Sequence, residues 1–292
     1  MKIHYDLYKV FYYVASTLSF SEAASKLCIT QSAVSQSIKI LEKKIQRPLF
    51  IRSTKRVQLT PEGEILLRHL EPAINLLKRA ELNILESKTN GGQIRIGASD
   101  TICRYFLVPY LEKFHKDFPN VHISIVNATS VCCTELLEAG KVDIIIINLP
   151  NKYISNNVAM KEIYTFEDVF IANENFQELR EKKISLRQLL KYPIMMLENK
   201  STTSEFLHNI LQQENLDFIP EIELTSNDLL KDFAKIGLGL AFVPNYCLTE
   251  TDLKTLFVIK TKKKIPERKL GLVYNDKIPV SRNIREFLKY FE

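Results

Sequence analysis

The sequence predicts a protein of the α + α/β class, with a small helical domain that carries a β-hairpin, a long helix, and a larger α/β domain of two lobes. Three observations predict this order. Residues 5–45 contain three short segments in which apolar side chains recur at helical spacing, and residues 61–90 contain one long segment with a heptad repeat. From Gln93 onward, short apolar runs typical of strands alternate with helical segments, which indicates a doubly wound sheet.

The composition is that of a soluble globular protein, since 46% of the 292 residues are hydrophobic and 25% are charged. No apolar run approaches the roughly 18 residues of a membrane span, and the first residues lack the apolar stretch of a secretory signal. The five cysteines show neither a CxxC motif nor metal-ligand spacing with the histidines. We therefore expect a cytoplasmic protein without a bound metal or a membrane partner.

Positive charge is concentrated in the first third of the chain. Residues 1–92 carry 14 Lys and Arg against 8 Asp and Glu, whereas residues 93–292 carry 26 of each kind. The overall excess of +6 therefore belongs to the N-terminal part, which is typical of a polyanion-binding module joined to a neutral one. A solvated basic face would give the same pattern, so the charge alone does not identify the partner.

Three helices are predicted before residue 46, and the first ends near Thr17. Ser19 and Glu22 have the spacing of a capping box, in which the serine oxygen accepts from the Glu22 N–H while the carboxylate reaches back to Ser19. A second helix is therefore expected to begin there. Thr30 is the expected N-cap of the third helix.

The third helix divides into an apolar and a polar face. Its buried stripe is expected to consist of Val34, Ile38, Leu41 and Ile45. The polar side chains near its N-terminal end are Gln31, Ser32, Ser35 and Gln36. Glutamine can pair with adenine and serine can contact bases or phosphates, so this face suits a recognition helix in the major groove of DNA. On this helix alone, a merely solvated face of a three-helix domain fits equally well.

A β-hairpin with a basic tip is predicted after the third helix. Residues 49–52 and 57–59 form two short strand-like runs, and residues 53–56 join them. Such a hairpin is the wing of a winged helix-turn-helix. Arg52, Lys55 and Arg56 are expected to lie against the sugar-phosphate backbone, where they position the protein without specifying sequence.

Many residues of this region stand at the spacings of one known family. They are Leu7, Phe11, Ser19-Phe20-Ser21, Ala23-Ala24, Leu27, Thr30-Gln31-Ser32-Ala33-Val34-Ser35, Ile38, Leu41-Glu42, Leu49-Phe50, Arg52, Leu59-Thr60 and Gly63. In these positions the chain resembles the LysR-type transcriptional regulators. It departs from their pattern at Ser32, where proline is usual, and at Gln46, where glycine is usual.

The resemblance implies a winged helix-turn-helix that binds an interrupted palindromic operator in double-stranded DNA as a homodimer or homotetramer. RNA polymerase would be a further partner of an activator.

A long helix is expected to begin at Pro61, with Thr60 as its N-cap. Its apolar residues are spaced alternately by four and three positions, a heptad seam typical of helix pairing. The seam consists of Leu66, Leu70, Ala73, Leu77, Ala80 and Ile84. We favour homodimerisation through it over packing of the helix on its own domain. Pro72 should bend the helix or mark a joint, and Asn90-Gly91-Gly92 is a plausible hinge.

The rest of the chain resembles the effector domain of the same family, itself similar to periplasmic binding proteins. The motifs that carry this resemblance are Gly91-x-Gln93-Ile94-Arg95-Ile96-Gly97, Gly140-x-x-Asp143 and Gly237-x-Gly239-x-Ala241-x-x-Pro244. The expected domains are a winged helix-turn-helix at 1–60, a linker and dimerisation helix at 61–90, and a two-lobed periplasmic-binding-protein-like domain at 91–292. The first lobe would comprise about 93–162 and 266–292 and the second about 163–265, because the family's chain crosses near Ile163 and returns near Pro266.

The resemblance also implies a small-molecule effector between the lobes, held by hydroxyl side chains and helix N-termini. The matching positions are Ser99, Thr101, Thr129, Ser130, Ser201, Thr202 and Thr203. Helix N-termini attract anions, so the expected effector is a small anion, with no other cofactor. These hydroxyls could instead only cap helices, as in the capping-box spacing of Thr202 and Glu205. Asp100 would oppose an anion, which leaves the effector's charge open.

Redox sensing and enzymatic catalysis are the alternatives to effector sensing. A thiol-based redox sensor of the same fold is the main alternative, because Cys103 is expected near a helix N-terminus, where the pKa of a thiol can fall, and Cys132 and Cys133 belong to the same lobe. An enzyme would need a nucleophile with its base, paired carboxylates or a metal cluster, and no spacing supplies one. We therefore expect a regulator rather than an enzyme.

Overall fold

The computed structural model describes residues 3–52, 56–86, 91–155 and 158–292. The chain divides into two compact units. The N-terminal unit comprises residues 1–85 together with 138–141, and the C-terminal unit comprises residues 86–137 and 142–292.

Three helices form the core of the N-terminal unit. They are α1 (Tyr5–Thr17), α2 (Phe20–Leu27) and α3 (Gln31–Ile45). The expected stripe of α3 is buried at Val34, Ile38 and Leu41, while Ile45 packs at its edge. The helix ends at Gln46, whose φ of 60° is left-handed. Glycine adopts this conformation without steric cost, which explains why the family prefers glycine at this position.

The N-caps of these helices follow the prediction only in part. Thr30 caps α3 by accepting a hydrogen bond from the Ala33 N–H at 3.2 Å. Ser19 accepts from the Glu22 N–H at 3.2 Å, but the reciprocal half of the capping box is absent from the described residues. Thr17 Oγ1 accepts from the Ser19 N–H instead, and the Glu22 carboxylate pairs with Lys26 on the next turn.

The predicted wing is an antiparallel hairpin of β1 (Phe50–Arg52) and β2 (Val57–Leu59). Its base is fixed to α3 by Glu42, whose carboxylate accepts from the backbone N–H groups of Leu49 and Phe50 at 2.8 and 3.3 Å. The tip, residues 53–55, lies outside the described residues.

The long helix α4 (Pro61–Glu86) continues past Pro72, and Asn90 of the predicted hinge lies outside the described residues, whereas Gly91 and Gly92 are described. Thr60 caps it by accepting from the Gly63 N–H at 3.0 Å and donates to Pro48 O at 2.8 Å. A Cβ at Gly63 would lie 2.2 Å from Leu49 O. Glycine is therefore required here because the helix begins directly against the base of the wing.

The structure divides the predicted heptad seam into two parts. Leu66 and Leu70 pack against the core of the N-terminal unit, so they stabilise their own domain. The remaining members, Ala73, Leu77, Ala80 and Ile84, are exposed, with Leu77 48% and Ile84 68% accessible. An interface along the seam would therefore use mainly its C-terminal half.

The C-terminal unit contains two five-stranded sheets, each of which defines a lobe. The first lobe has strand order β4-β3-β5-β12-β6. Its strands are β3 (Gly92–Ala98), β4 (Val121–Asn127), β5 (Ile144–Leu149), β6 (Ala159–Phe166) and β12 (Arg268–Tyr274). The central β5 is fully buried along most of its length, as its continuous apolar run predicts.

The second lobe has strand order β11-β7-β10-β8-β9. Its strands are β7 (Asp168–Ala172), β8 (Ile194–Leu197), β9 (Ile222–Leu224), β10 (Leu240–Pro244) and β11 (Phe257–Ile259). The chain enters this lobe at Glu167, four residues after the expected crossing near Ile163, because β6 stays paired with β12 as far as Phe166. It returns just before Arg268, close to the expected Pro266.

Helices cover the sheets of both lobes. They are α5 (Asp100–Ile102), a π-helical turn at Cys103–Leu107, α6 (Val108–Asp117), α7 (Ser130–Glu138), α8 (Leu186–Leu189), α9 (Thr202–Gln213), α10 (Asn227–Lys235) and α11 (Arg282–Leu288). Among the described residues, no helix has both the length and the apolar character to cross a membrane.

Candidate functional site

The polar face of α3 is available to a partner. Gln31, Ser32 and Gln36 are exposed and Ser35 is half-buried, while the opposite face forms the core. The Ser32 and Thr30 hydroxyls share a hydrogen bond of 2.9 Å. Of the wing residues, Arg56 is exposed, the side chain of Arg52 is not described, and Lys55 lies outside the described residues. The exposed N-terminal part of α3 is therefore uncharged and rich in hydrogen-bonding groups.

A cavity of about 410 Å³ lies between the two lobes of the C-terminal unit. It is surrounded by Ser99, Asp100, Thr101, Asn127, Ala128, Thr129, Ser130, Asn148, Leu197, Glu198, Ser201, Thr202, Thr203, Leu224, Thr225, Ser226, Asn227 and Tyr246. All seven hydroxyl residues expected at an effector site are in this set. Its size is in the range of small-molecule sites, about 300–1,000 Å³.

Helix N-termini from both lobes converge on the cavity. In the first lobe, Ser99 caps α5 and Thr129 caps α7, their oxygens accepting from backbone N–H groups at 3.4 and 3.3 Å. In the second lobe, Ser201 caps α9 at 3.0 Å and Ser226 caps α10 at 3.4 Å. The partial positive charge at the starts of α7, α9 and α10 therefore faces one cleft.

The remaining predicted hydroxyls also accept hydrogen bonds from the protein. Thr101 accepts from the Asn227 side-chain amide at 2.9 Å, and Ser130 accepts from the Asn148 N–H at 3.1 Å. Thr202 and Thr203 accept from the Arg268 guanidinium at 3.3 and 3.0 Å. Among the described contacts, each of the seven hydroxyls uses an oxygen lone pair within the protein and leaves its proton available for donation.

The predicted capping box of Thr202 and Glu205 is wrong by one position. The N-cap is Ser201, and Thr202 is the first helical residue. The Glu205 carboxylate does not fold back on the helix, because it accepts from the Tyr153 hydroxyl at 2.8 Å and pairs with Lys152 at 3.1 Å. Glu205 thus links the lobes on one flank of the cavity.

A buried ion pair lies where the chain passes between the lobes. Arg268, at the start of β12, donates to Asp168, at the start of β7, at 2.8 Å, and both side chains are 0% exposed. The same guanidinium donates to Leu149 O at 3.2 Å. Burial raises the pKa of the Asp168 carboxyl, and the charge of Arg268 opposes that rise. Through its bonds to Thr202 and Thr203, Arg268 also fixes two hydroxyls of the cavity.

A second polar cluster links the lobes through α10. Tyr105, in the π-helical turn of the first lobe, donates to the Asp228 carboxylate on α10. Lys231, also on α10, donates to the Tyr105 oxygen at 2.8 Å and to Asp252 at 3.1 Å. Although burial opposes it, hydrogen bonding to Tyr105, Asp228 and Asp252 raises the pKa of Lys231, so this lysine stays charged.

Three lining residues carry a buried polar atom that has no hydrogen-bond partner among the described residues. These atoms are Asn148 Oδ1, Asn227 Oδ1 and the Tyr246 hydroxyl oxygen. Burial raises the pKa of Tyr246 well above its ordinary value, so its hydroxyl stays protonated. A buried polar group without a partner costs about 1–3 kcal/mol, so a bound molecule that paired with these atoms would stabilise this region.

The thiols do not show the expected activation. Burial, together with the nearby Asp100 carboxylate, raises the pKa of Cys103 to about 11. Burial likewise raises the pKa of Cys133 and of Cys247 to about 12. Desolvation thus outweighs the helix N-terminus at Cys103, and the thiolate needed for peroxide chemistry is scarce at neutral pH. Cys132 is exposed, but the redox alternative loses its main support.

We expect native protein at neutral pH to show two rapidly reacting thiols, the exposed Cys28 and Cys132, in titration with an aromatic disulfide reagent. All five should react after denaturation. Treatment with hydrogen peroxide should leave operator binding unchanged. Rapid reaction of Cys103, or loss of operator binding after peroxide that a reductant restores, would contradict this and favour redox sensing.

Comparison with known proteins agrees with this architecture. The profile described as "Bacterial regulatory helix-turn-helix protein, lysR family" matches residues 5–64, and the profile "LysR substrate binding domain" matches residues 87–292. The "Probable RuBisCO transcriptional regulator" of Thalassiosira pseudonana is 28% identical, covering 91% of this chain and 90% of its own length. The "HTH-type transcriptional regulator CysL" of Bacillus subtilis is 27% identical over 98% of this chain and 96% of its own.

Solved structures show the same fold. A full-length OxyR variant from Pseudomonas aeruginosa superposes with a TM-score of 0.72 at 18% identity, covering 100% of this chain and 95% of its own. Full-length CbnR in complex with its target DNA gives a TM-score of 0.68 at 14% identity, covering 99% of both chains.

The helix-turn-helix with its wing and the two-lobed domain with its cavity define a ligand-responsive DNA-binding regulator. Since the two family profiles together span nearly the whole sequence, the chain belongs to the LysR family of bacterial transcriptional regulators.

Several lining residues were not predicted from the sequence. Ser226 and Asn227 were missed because the three-residue strand β9 before them is too short to show a pattern. Asn148 follows the apolar run of β5, a strand-end signal that could have identified it. Glu198 and Tyr246 follow β8 and β10 in the same way. Within the described residues, no cluster of His, Cys, Asp and Glu could hold a metal ion.

Proposed function

We propose that this regulator binds an interrupted palindromic operator as a homodimer or homotetramer, and that a small effector in the cavity between the lobes controls its activity. The cavity carries this proposal, because hydroxyl residues, helix N-termini and residues with unpaired polar atoms all line one cleft. The effector would bridge the lobes and thereby bias their arrangement, which is what a regulatory ligand must do.

The DNA-binding half of the proposal is supported by the division of α3 into two faces. The apolar face of α3 is buried in the core, so the exposed face of this helix has no structural role within the described unit. Gln31, Ser32, Ser35 and Gln36 would contact bases, and Arg52, Lys55 and Arg56 would contact phosphates. The remaining heptad residues of α4 would pair two copies, so that two recognition helices read one operator.

No catalytic role is proposed. The cavity lining offers two carboxylates, Asp100 and Glu198, but none of its residues is a histidine, lysine or cysteine that could act with them as base or nucleophile. We propose that the protein acts in the cytoplasm without a further cofactor, and that it contacts RNA polymerase if it activates transcription.

Variants of α3 and of the wing should affect DNA binding differently. Gln31→Ala or Ser35→Ala should lower discrimination between operator and random DNA by about 1–3 kcal/mol, because base contacts carry sequence information. Arg52→Ala should instead weaken binding to operator and random DNA to a similar extent. It should also reduce the slope of log K against log salt concentration by about 1, the effect of losing one phosphate contact. Footprinting and salt titration measure the two effects.

Two exposed residues of the C-terminal unit serve as matched controls. Gln212→Ala and Lys113→Ala remove an amide and a positive charge far along the sequence from α3, and both should leave operator binding unchanged. If Gln31→Ala and Ser35→Ala both kept full discrimination, α3 would not be the recognition helix.

A further inference from the structure

The charges around the cavity are not those of a simple anion site. Its charged lining residues are Asp100 and Glu198, and no Lys, Arg or His is among the lining residues. Neither carboxylate makes an ion pair or a side-chain hydrogen bond with another described residue. Arg104, outside the lining, interacts electrostatically with the exposed Asp100, but no cation among the described lining residues offsets Glu198, so the cavity disfavours a ligand that carries only negative charge.

The cavity nevertheless has groups that favour a carboxylate. The seven hydroxyls described above retain their protons for donation, and α7, α9 and α10 direct their N-terminal ends toward the same space. Hydroxyl and backbone N–H groups are the donors that hold a carboxylate where no cationic side chain is present. One part of the ligand is therefore expected to be an acceptor with negative charge.

Other groups require a hydrogen-bond donor. Asn227 is 6% exposed, its amide nitrogen is used by Thr101, and its oxygen has no partner among the described residues. The side-chain oxygen of Asn148 is likewise buried and has no hydrogen-bond partner among the described residues. An inorganic anion or a simple carboxylate offers only acceptors and would leave both amide oxygens unpaired. A ligand group that donates hydrogen bonds would pair with them where a small side-chain adjustment brings it within reach.

We propose that the effector is a small zwitterion of the amino-acid class, with its carboxylate at the hydroxyls and helix N-termini and its ammonium group at Asp100, Glu198 and the amide oxygens. This inference rests on the proposed effector function of the cavity. An ammonium group supplies three donors and a positive charge, which satisfies the carboxylates and the unpaired acceptors together. The apolar lining residues Ala128, Leu197 and Leu224 leave room for a short apolar side chain.

Matched sets of compounds test this assignment on the full-length protein. Each of the twenty common L-amino acids is compared with the 2-hydroxy acid and the amine that share its side chain, for example alanine with lactate and ethylamine. Inorganic phosphate and sulfate are included as pure anions. Thermal shift provides the screen, and calorimetry provides the Kd of each hit.

We expect at least one amino acid to raise Tm, and its hydroxy acid and amine to bind at least about tenfold more weakly, the effect of losing one charged contact. In the Glu198→Gln and Asp100→Asn variants, the preference for the amino acid over the hydroxy acid should fall about tenfold. Glu135→Gln, which neutralises an exposed carboxylate outside the cavity, should retain the full preference.

The outcomes separate this inference from the function on which it rests. Equal or tighter binding of a hydroxy acid, phosphate or sulfate would overturn the zwitterion while keeping the cavity as an effector site. Failure of every amino acid to bind would also overturn it. The effector function itself would fail only if no compound of a broad metabolite library raised the Tm of the wild-type protein more than that of Ala128→Trp, whose cavity is filled.

Discussion

Replacement of Asp168 by alanine is expected to destabilise the C-terminal unit by about 3–5 kcal/mol, the largest effect of any single substitution considered for this protein. The Arg268 guanidinium is 0% exposed and would lose its only carboxylate partner among the described residues. The threonine hydroxyls and the Leu149 carbonyl that remain are neutral and cannot balance a buried charge. Denaturant unfolding of the variant gives the free energy directly.

Two further variants show whether the charge is the cause. Glu112→Ala removes one partner of the exposed Lys116 ion pair and should cost no more than about 1 kcal/mol. The double variant Asp168→Ala/Arg268→Met removes both charges and should recover part of the loss. A cost below about 1 kcal/mol for Asp168→Ala alone would show that water or another group neutralises Arg268.

Replacement of Leu77 by glutamate is expected to abolish operator binding through loss of the dimer. Leu77 is 48% exposed on α4 and belongs to the half of the heptad seam that the N-terminal unit leaves uncovered. In a paired helix its side chain would be buried, and an unpaired buried carboxylate costs several kcal/mol. Light scattering should show monomers or aggregates, and footprinting should show no protection.

Leu82 provides the matched control because it is also an exposed leucine of α4, 47% accessible, but lies on the side of the heptad opposite the seam. Leu82→Glu should therefore remain dimeric and bind the operator. If Leu77→Glu also remained dimeric, or if Leu82→Glu alone dissociated, the interface would lie elsewhere.

The order of helices and strands was predictable because each local pattern agrees with the tertiary structure. Residues 144–147 form a continuous apolar run because β5 is buried on both faces, and the alternating four- and three-residue spacing of α4 is visible without knowing its partner. The sequence alone could not show which residues of the heptad seam pack against their own domain and which remain exposed. Leu66 and Leu70 have the same spacing as Leu77, and only the folded core shows that they are already covered.

The hydroxyl residues of the cavity were expected from the family resemblance, and three of them, Ser99, Thr129 and Ser201, cap helices at the cavity. A serine or threonine between a strand and a helix usually caps that helix, and in this fold such helix starts meet at one place. The capping-box hydrogen bonds predicted for two glutamate carboxylates did not form. Glu22 and Glu205 both have capping-box spacing, but Lys26 and Tyr153 respectively offer them other partners. Spacing predicts a local bond only where no competing contact is stronger.

The buried pair of Arg268 and Asp168 gave no sequence signal. The two residues are one hundred positions apart and each stands at the start of a strand. Only the pairing of β6 with β12 and the passage into β7 bring them together. The raised pKa of Cys103 likewise gave no sequence signal, because desolvation depends on the packed structure around the thiol.

Effector control of DNA binding through the cavity is tested most directly by calorimetry of the ligand found in the screen, with and without a saturating operator fragment. Coupling between two sites is reciprocal, so the operator should change the Kd of the ligand by the same factor by which the ligand changes the Kd of the operator. The variant Ser99→Ala/Thr129→Ala should lose ligand binding and the coupling but retain operator binding. Ser281→Ala removes a comparable cap from α11, outside the cavity, and should retain both. A ligand whose affinity is unchanged by operator, or that binds the double variant as tightly as the wild-type protein, would contradict control through this cavity.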